Sequence, residues 1–503
     1  MAFGVKHIPI ARIIATSVML FGVSIVISPS AHAFSGTGAG TPSDPYEIYT
    51  CAQLQEIAND LSADYELLDD INCTGISYNP IGDEFNPFTG SLDGNLQTIS
   101  NVTVNNPSQN FQGIFASMNT ATLQNIKLSN NSIIGASVVG VLTGQAIDGT
   151  ISNIRADSTN TVSGNGDVGG IVGGAWNSSV AISRSFYKGT VSLTGSYGGG
   201  ILGYGTGTIT ISDSYSAGTI NGGSSYVGGV VGSFNSGTPV VSRVYSSMDI
   251  NGAGSYYGGL LGGFFSGTVQ NSFAAADMGA NPSSSGGLFG LGGGTSTNNY
   301  LDEFAATISN CSDTGAASCT TVNAGNATPN YFINNNTNPP LDTWNFDYLW
   351  YNSAGLPEFP TFGVVQVDIP EATSNSINFG YTFLGGQGTG SISSPEIRFR
   401  ETGSSEQWTY LSNVQTENFD LTISGLKPAT QYTIEIRASY DGVGEYSDWD
   451  DGSFSVTTLE AAAVASSETA LAETGDDYGL AVALALLLIT LPTILIVGLN
   501  QKR

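Results

Sequence analysis

The chain has 503 residues, of which only 11% are charged and 66 are glycine, and its 41 acidic against 13 basic residues give a formal charge of −28. Such a field repels phosphate backbones and excludes a nucleic-acid binder. Both histidines, His7 and His32, fall in what reads as a removed leader, so the exported protein has no Ser-His-Asp triad, Cys-His dyad or His-ligated metal.

Residues 1–33 read as a secretory signal peptide. Lys6, His7 and Arg12 form a basic start, Ile13 to Ile27 is mostly apolar, and Ala31-His32-Ala33 is a small-x-small cleavage site. The alternative is an uncleaved anchor, for which the apolar run is short of the roughly 20 residues a span needs. Export makes the four cysteines candidates for disulfides. Proximity in sequence favours Cys51–Cys73 and Cys311–Cys319 over the other pairings. Thr50 with Gln53 reads as a capping box that opens a short helix with Leu54, Ile57, Ala58 and Leu61 on one face. This helix is expected to lie over the first coil of the repeat that follows and to shield its open strand edge.

The middle of the chain repeats. Val168-Gly169-Gly170-Ile171-Val172-Gly173 returns at Gly198–Gly203, Val227–Gly232, Tyr257–Gly262 and Ser285–Gly290, and the second glycine steps by 30, 29, 30 and 28 residues. A second register follows each copy: Ser185-Phe186, Ser214-Tyr215, Val244-Tyr245, Ser272-Phe273 and Asn299-Tyr300. Short β-rich runs separated by Gly, Ser and Asn, with no helical periodicity, make each unit one coil of a parallel β-helix. The aromatic register would then form a ladder, inside the coil or along one edge. The glycines serve either corners with positive φ or close backbone approach between coils.

The Gly-Gly-aliphatic-aliphatic-Gly repeat resembles the GLUG motif of bacterial surface proteins. Pro80-Ile81-Gly82, Phe88–Asn95 and Thr98–Val102 look like the opening of such arrays, and Trp344, Trp350 and Gly355–Pro360 look like their end. The resemblance covers residues 34–363. It implies an all-β, right-handed, pectate-lyase-like parallel β-helix of about 30 residues per coil, with the Pro- and Trp-rich segment 329–362 as its C-terminal cap. Adhesins and non-catalytic regions of extracellular enzymes carry such arrays.

Residues 364–459 change to alternating strands, as in Tyr432–Arg437, and read as a β-sandwich. Leu426-Lys427-Pro428-Ala429-Thr430-Gln431-Tyr432 resembles the tyrosine-corner signature of fibronectin type III domains, which implies that the Tyr432 hydroxyl bonds back to the upstream loop. The usual core Trp is missing, and Trp408 is a candidate substitute. Residues 460–477 are a linker. Within it, Leu471-Ala472-Glu473-Thr474-Gly475 stands just before an uncharged run from Gly479 to Leu499 and the basic end Lys502-Arg503. This order resembles the sorting signal of Gram-positive-type surface proteins, in the variant with Ala second. It implies cleavage after Thr474 and covalent attachment to cell-wall peptidoglycan. The alternative is a plain membrane anchor, because segment 478–503 is long enough to span as a transmembrane helix. Both place the bulk of the chain at the cell surface.

Residues for chemistry are sparse. In stacked coils Arg184 falls beside Asp213, as a salt bridge or a catalytic pair. Glu445, Asp448, Asp450 and Asp451 crowd one loop, as solvated acids or as a fragment of a calcium loop. Asp69-Asp70 and Asp83-Glu84 fit solvated surface or turn caps. Tyr197, Tyr226, Tyr256 and Tyr257 precede the glycine pairs, either packed at a core or edge or lining a strip for a glycan or protein. No catalytic, metal or cofactor site is expected. The composition favours a non-catalytic, adhesin-like surface protein over a wall-attached polysaccharide lyase or glycoside hydrolase.

Overall fold

The computed structural model describes residues 34–460, apart from 280–282, 304, 307, 316, 324–330, 347–349, 351–354, 360–364, 368–369, 384–391, 405–406, 412–413, 415–416 and 441–453. The fold is all-β. A parallel β-solenoid is followed by an antiparallel β-sandwich. The acidic loop at Glu445–Asp451, the sorting sequence at Leu471–Gly475 and the uncharged run before Lys502 lie outside the described residues. Among the described residues no helix is long and apolar enough to cross a membrane.

The solenoid follows from its period. Eight successive strands pair in parallel through Phe115, Thr143, Val172, Leu202, Val231, Leu261, Phe289 and Ser312. On another face Tyr65, Leu92, Leu123, Ile151, Ile182, Ile211, Val241 and Val269 stack in register and are all buried. Stacking like on like lets one row of aliphatic side chains fill the coil from end to end. Each fully buried side chain of this kind contributes about 1.5–3 kcal/mol.

The glycine pairs form a line, with Gly169, Gly199, Gly228, Gly258 and Gly286 paired one above the next. None of them has positive φ. A Cβ on Gly199 would sit 2.1 Å from the Leu202 carbonyl oxygen, and one on Gly200 would sit 2.2 Å from that of Gly229. Close backbone approach, within the coil and between coils, is therefore what excludes a side chain here.

The Ser-aromatic register separates into an inward and an outward position. The hydroxyls of Ser185, Ser214 and Ser272 are buried at a corner, where they accept from the backbone N–H of Ile154, Ser185 and Val244 in the preceding coil. The next residue points out. Phe186, Tyr215, Tyr245 and Phe273 stack along the outside with ring centroids 5.0, 4.9 and 5.0 Å apart.

The Pro- and Trp-rich segment, expected over the last coil, packs its aromatic side chains on this outer row. Phe332 stacks on Phe273 at 4.0 Å, Trp350 lies 6.2 Å from Tyr245, and Phe359 lies 5.4 Å from Tyr215. The Trp344 indole N–H donates to the Asn271 carbonyl, and Lys188 pairs with Glu358 at 2.8 Å. The segment thus returns along the side of the solenoid toward its first coils. A row of large apolar rings needs burial, and a strap of Trp and Phe supplies it.

At the start, Thr50 accepts from the Gln53 backbone N–H and Gln53 accepts from that of Tyr49, so the cap forms. Leu54 and Ile57 enter the solenoid core. Ala58 is exposed, because the α-helix ends at Glu56 and the tighter 3-10 turn of Ile57–Asn59 rotates it outward. Cys51 is bonded to Cys73 and Cys311 to Cys319.

The sandwich has one sheet with strands Val365–Val367, Glu371–Ala372, Ser376–Phe383 and Glu417–Ser424, and another with Ile392–Glu401, Thr409–Tyr410, Gln431–Tyr440 and Phe454–Thr457. Ile377, Phe379, Tyr381, Ile397 and Ile434 are buried between them. The Tyr432 hydroxyl accepts from the Lys427 backbone N–H at 2.9 Å, closing the tyrosine corner. Trp408 is not in this core. It lies over the guanidinium groups of Arg398 and Arg400, at 4.2 and 4.1 Å, and donates to the Leu68 carbonyl of the solenoid. Arg400 also pairs with Asp69 at 2.6 Å, so the sandwich is fastened to the first coils.

Candidate ligand-binding strip

A second aromatic row climbs the solenoid on the glycine-pair strands. The register places Phe111, Val138, Asp167, Tyr197, Tyr226, Tyr256 and Ser284 one above another. Tyr197 stacks on Tyr226 at 5.5 Å and Tyr226 on Tyr256 at 5.0 Å, with planes within 15°. The stack presents ring edges and phenol hydroxyls at about the strand spacing of ~4.8 Å.

The neighbouring row widens this stack into a strip. Tyr204 lies 4.7 Å from Tyr197 and 6.3 Å from Trp176, which in turn meets Phe111 edge-on. Phe265 lies 5.8 Å from Tyr226. Glycines make the room. The benzo end of the Trp176 indole fills the space a Cβ on Gly174 would need, and the rings of Phe265 and Tyr226 close on Gly263. Beside Gly263, the Ser233 hydroxyl is buried and has no hydrogen-bond partner. Six of these rings are half-buried, and Phe265 is 38% exposed. Among the described residues no segment packs over them as Phe332, Trp344, Trp350 and Phe359 pack over the other row.

Five positions of the strip's row have left-handed backbone: Phe111, Val138, Tyr226, Tyr256 and Ser284. Tyr226 and Tyr256 have φ of +51° and +60°. A bulky side chain in the left-handed region is an outlier that costs on the order of 1–3 kcal/mol. A second left-handed corner row carries Asn125, Asn153, Asn271 and Asn298, the inexpensive choice, and also Arg184, Asp213 and Arg243.

Asp167, below Tyr197 in the row, is the acidic group of the strip. Burial pushes its carboxyl up to about 6. Burial likewise raises the phenols of Tyr197 and Tyr226, with Tyr204 and Asp167 adding to the first and Tyr256 to the second. These hydroxyls stay protonated and able to donate.

The other candidates separate clearly. Tyr257 turns inward and is fully buried, with its hydroxyl donating to the carbonyls of Gly222 and Gly223, so it does not belong to the strip. Arg184 shares a row with Asp213, but both Asp213 oxygens accept from Arg243 in the next coil, at 2.6 Å each. Asp83 caps a turn, accepting from the backbone N–H of Phe85 and Asn86, which holds its carboxyl below the usual range. Asp70 accepts from the Thr98 backbone N–H. Among the described residues no group of three His, Cys, Asp or Glu is placed to hold a metal ion.

Five members of the strip were not singled out from the sequence: Phe111, Asp167, Trp176, Tyr204 and Phe265. Superimposing the repeats supplies the missing signal. Asp167 occupies the position of Tyr197 and Tyr226, and both Trp176 and Phe265 stand three residues after the last glycine of their repeat.

Residues 360–450 match the fibronectin type III domain family, so the sandwich is a domain of that type. Part of the chain is similar to halomucin of Haloquadratum walsbyi, 37% identical over 139 residues, which is 24% of this chain and 2% of that protein. Another similar protein is a "Putative Gly-rich membrane protein" of Evansella cellulosilytica, 29% identical over 166 residues, which is 30% of this chain and 19% of that one. The chain thus spans a small fraction of the curated relatives it matches. Among solved structures, a "putative immunoglobulin A1 protease" from Bacteroides ovatus aligns with 64% of this chain and 94% of its own, at 19% identity and a TM-score of 0.40.

Proposed function

We propose that this is a non-catalytic, adhesin-like surface protein that holds a glycan or protein ligand on the tyrosine strip of its solenoid. The observation that carries the reading is a run of half-buried rings spanning several coils, three of them set on left-handed backbone, beside a second aromatic row that the chain covers itself. Strain of this kind persists where the surrounding structure enforces it and is concentrated at functional sites. The GLUG-like repeat, a relative named for a mucin and another named for a membrane support a place at the cell surface.

Hydrolysis of a glycosidic bond uses two carboxyl groups flanking the scissile bond. The row through Tyr197, Tyr226 and Tyr256 contains one, Asp167, which favours binding over cleavage. Attachment is by the Leu471–Gly475 sorting sequence or by the apolar run behind it.

Displaying the full chain on a host cell and measuring adhesion to glycan- and protein-coated surfaces tests the reading. Replacing Tyr197, Tyr226 and Tyr256 together is expected to abolish adhesion; adhesion at the original level would overturn it. Thr474→Ala is expected to move the protein from the wall fraction to the detergent-extractable membrane fraction. Detergent extraction of the unaltered chain at full length would instead leave a membrane anchor.

A further inference from the structure

We infer that the strip takes an extended neutral polysaccharide, lying along the solenoid axis across Trp176, Tyr204, Tyr226 and Phe265. The inference rests on the surface-binding reading and names its ligand class. Three observations carry it.

The first is periodicity. Ring positions repeat once per coil, with centroids 5.5 and 5.0 Å apart in the tyrosine stack. A regular surface of that pitch matches a polymer whose units recur at a similar length, as pyranose units in an extended chain do. A folded protein partner has no such repeat.

The second is chemistry. A sugar unit has apolar C–H faces and a girdle of hydroxyls. It is matched by aromatic surface for the faces and hydrogen-bonding groups beside it for the girdle. The strip supplies both, since the phenols of Tyr197 and Tyr226 remain donors and the Asp167 carboxyl accepts. Neither row contains a basic residue, and the chain carries a formal charge of −28, so an anionic polymer is repelled.

The third is the backbone. Asn at Tyr226 and Tyr256 would relieve the left-handed strain and keep the fold, as Asn125 and Asn271 show at another corner. The same row takes this conformation with Val138 and Ser284, so the backbone itself does not call for tyrosine at these positions.

The test is affinity electrophoresis of the full chain in native gels containing hydroxyethyl cellulose, glucomannan or, as the anionic counterpart, carboxymethyl cellulose. Retardation by at least one neutral polymer is expected, and weaker retardation by the carboxymethylated one. Tyr226→Asn combined with Tyr256→Asn is expected to weaken binding by about tenfold or more. Its thermal midpoint should be unchanged or raised, which separates lost binding from lost folding. No retardation by either neutral polymer overturns the inference, as does undiminished binding by the double variant. Tyrosine-dependent capture of a protein ligand without polysaccharide binding would overturn the glycan assignment while leaving the surface-binding reading intact.

Discussion

The two aromatic rows of the solenoid arise in the same way, by repeating one residue type at one position of successive coils, yet the chain treats them differently. The row of Phe186, Tyr215, Tyr245 and Phe273 is buried beneath Phe332, Trp344, Trp350 and Phe359. The row of Tyr197, Tyr226 and Tyr256 keeps half-buried rings, the last two on left-handed backbone. In the first, removing water from the rings is the stabilising event and the backbone is relaxed. In the second, the rings give up part of that stabilisation and the backbone opposes them. A repeat therefore builds an aromatic ladder readily, and what covers the ladder decides whether it is structure or surface.

The burial of the first row depends most on Trp350. Its ring is 1% exposed and lies against Tyr215, Tyr245 and Phe359. Trp350→Ala leaves a cavity in the covered row and should cost about 3–5 kcal/mol. Trp350→Phe should cost far less, because the indole N–H has no partner to lose. Chemical denaturation measures both. If Trp350→Ala costs no more than an alanine at Tyr226, the strap does not bury the row.

The rows also differ in how much of each the sequence disclosed. Their existence was legible, because stacking requires the same residue type at every turn and a fixed period reports that requirement. The covering of one row was not. Lys188 and Glu358 are 170 residues apart, and nothing periodic marks the segment that joins them. The same holds for Trp408. Its place over two arginines at the first coils depends on how the sandwich docks, whereas the resemblance to fibronectin type III domains offered it as a core substitute. The left-handed backbone of Tyr226 and Tyr256 was hidden for a different reason: positive φ is read from Gly and Asn, and these residues are neither. The same conformation at Phe111, Val138 and Arg184 was hidden in the same way.

On the strip's side, Asp167 carries an energetic cost of its own. Its carboxyl titrates at about 6 in the folded protein because burial disfavours the charge. Unfolded, it titrates near ~3.9. Between these values the folded state binds more protons than the unfolded one, so stability falls as pH rises through that window. Asp167→Asn removes the buried charge. It should raise stability at pH 7 by ~2 kcal/mol and change it little at pH 4. Denaturation curves at the two pH values check this, and equal differences at both would show that the carboxyl is not desolvated. A strip that holds an unfavourable carboxylate at neutral pH is arranged for something other than stability.

The smallest effect belongs to Lys188, at the point where strap and covered row meet. Its ammonium lies 2.8 Å from Glu358, but the two side chains are 31% and 44% exposed, so water screens the pair. Such pairs are worth ~0.5 kcal/mol. The same ammonium sits 5.1 and 5.5 Å from the ring centroids of Phe186 and Tyr215, which adds ~0.5 kcal/mol. Lys188→Met keeps most of the apolar stem and removes both, so it should cost about 1 kcal/mol at low salt. The ion-pair share should fade at high ionic strength, leaving a smaller, salt-resistant remainder. Denaturation of the two proteins at low and high salt measures it. A loss as large as that of Trp350→Ala would mean that charge, rather than ring burial, holds the strap. In that case the covered and uncovered rows would differ by their electrostatics, and the distinction drawn between them would have to be rebuilt on that basis.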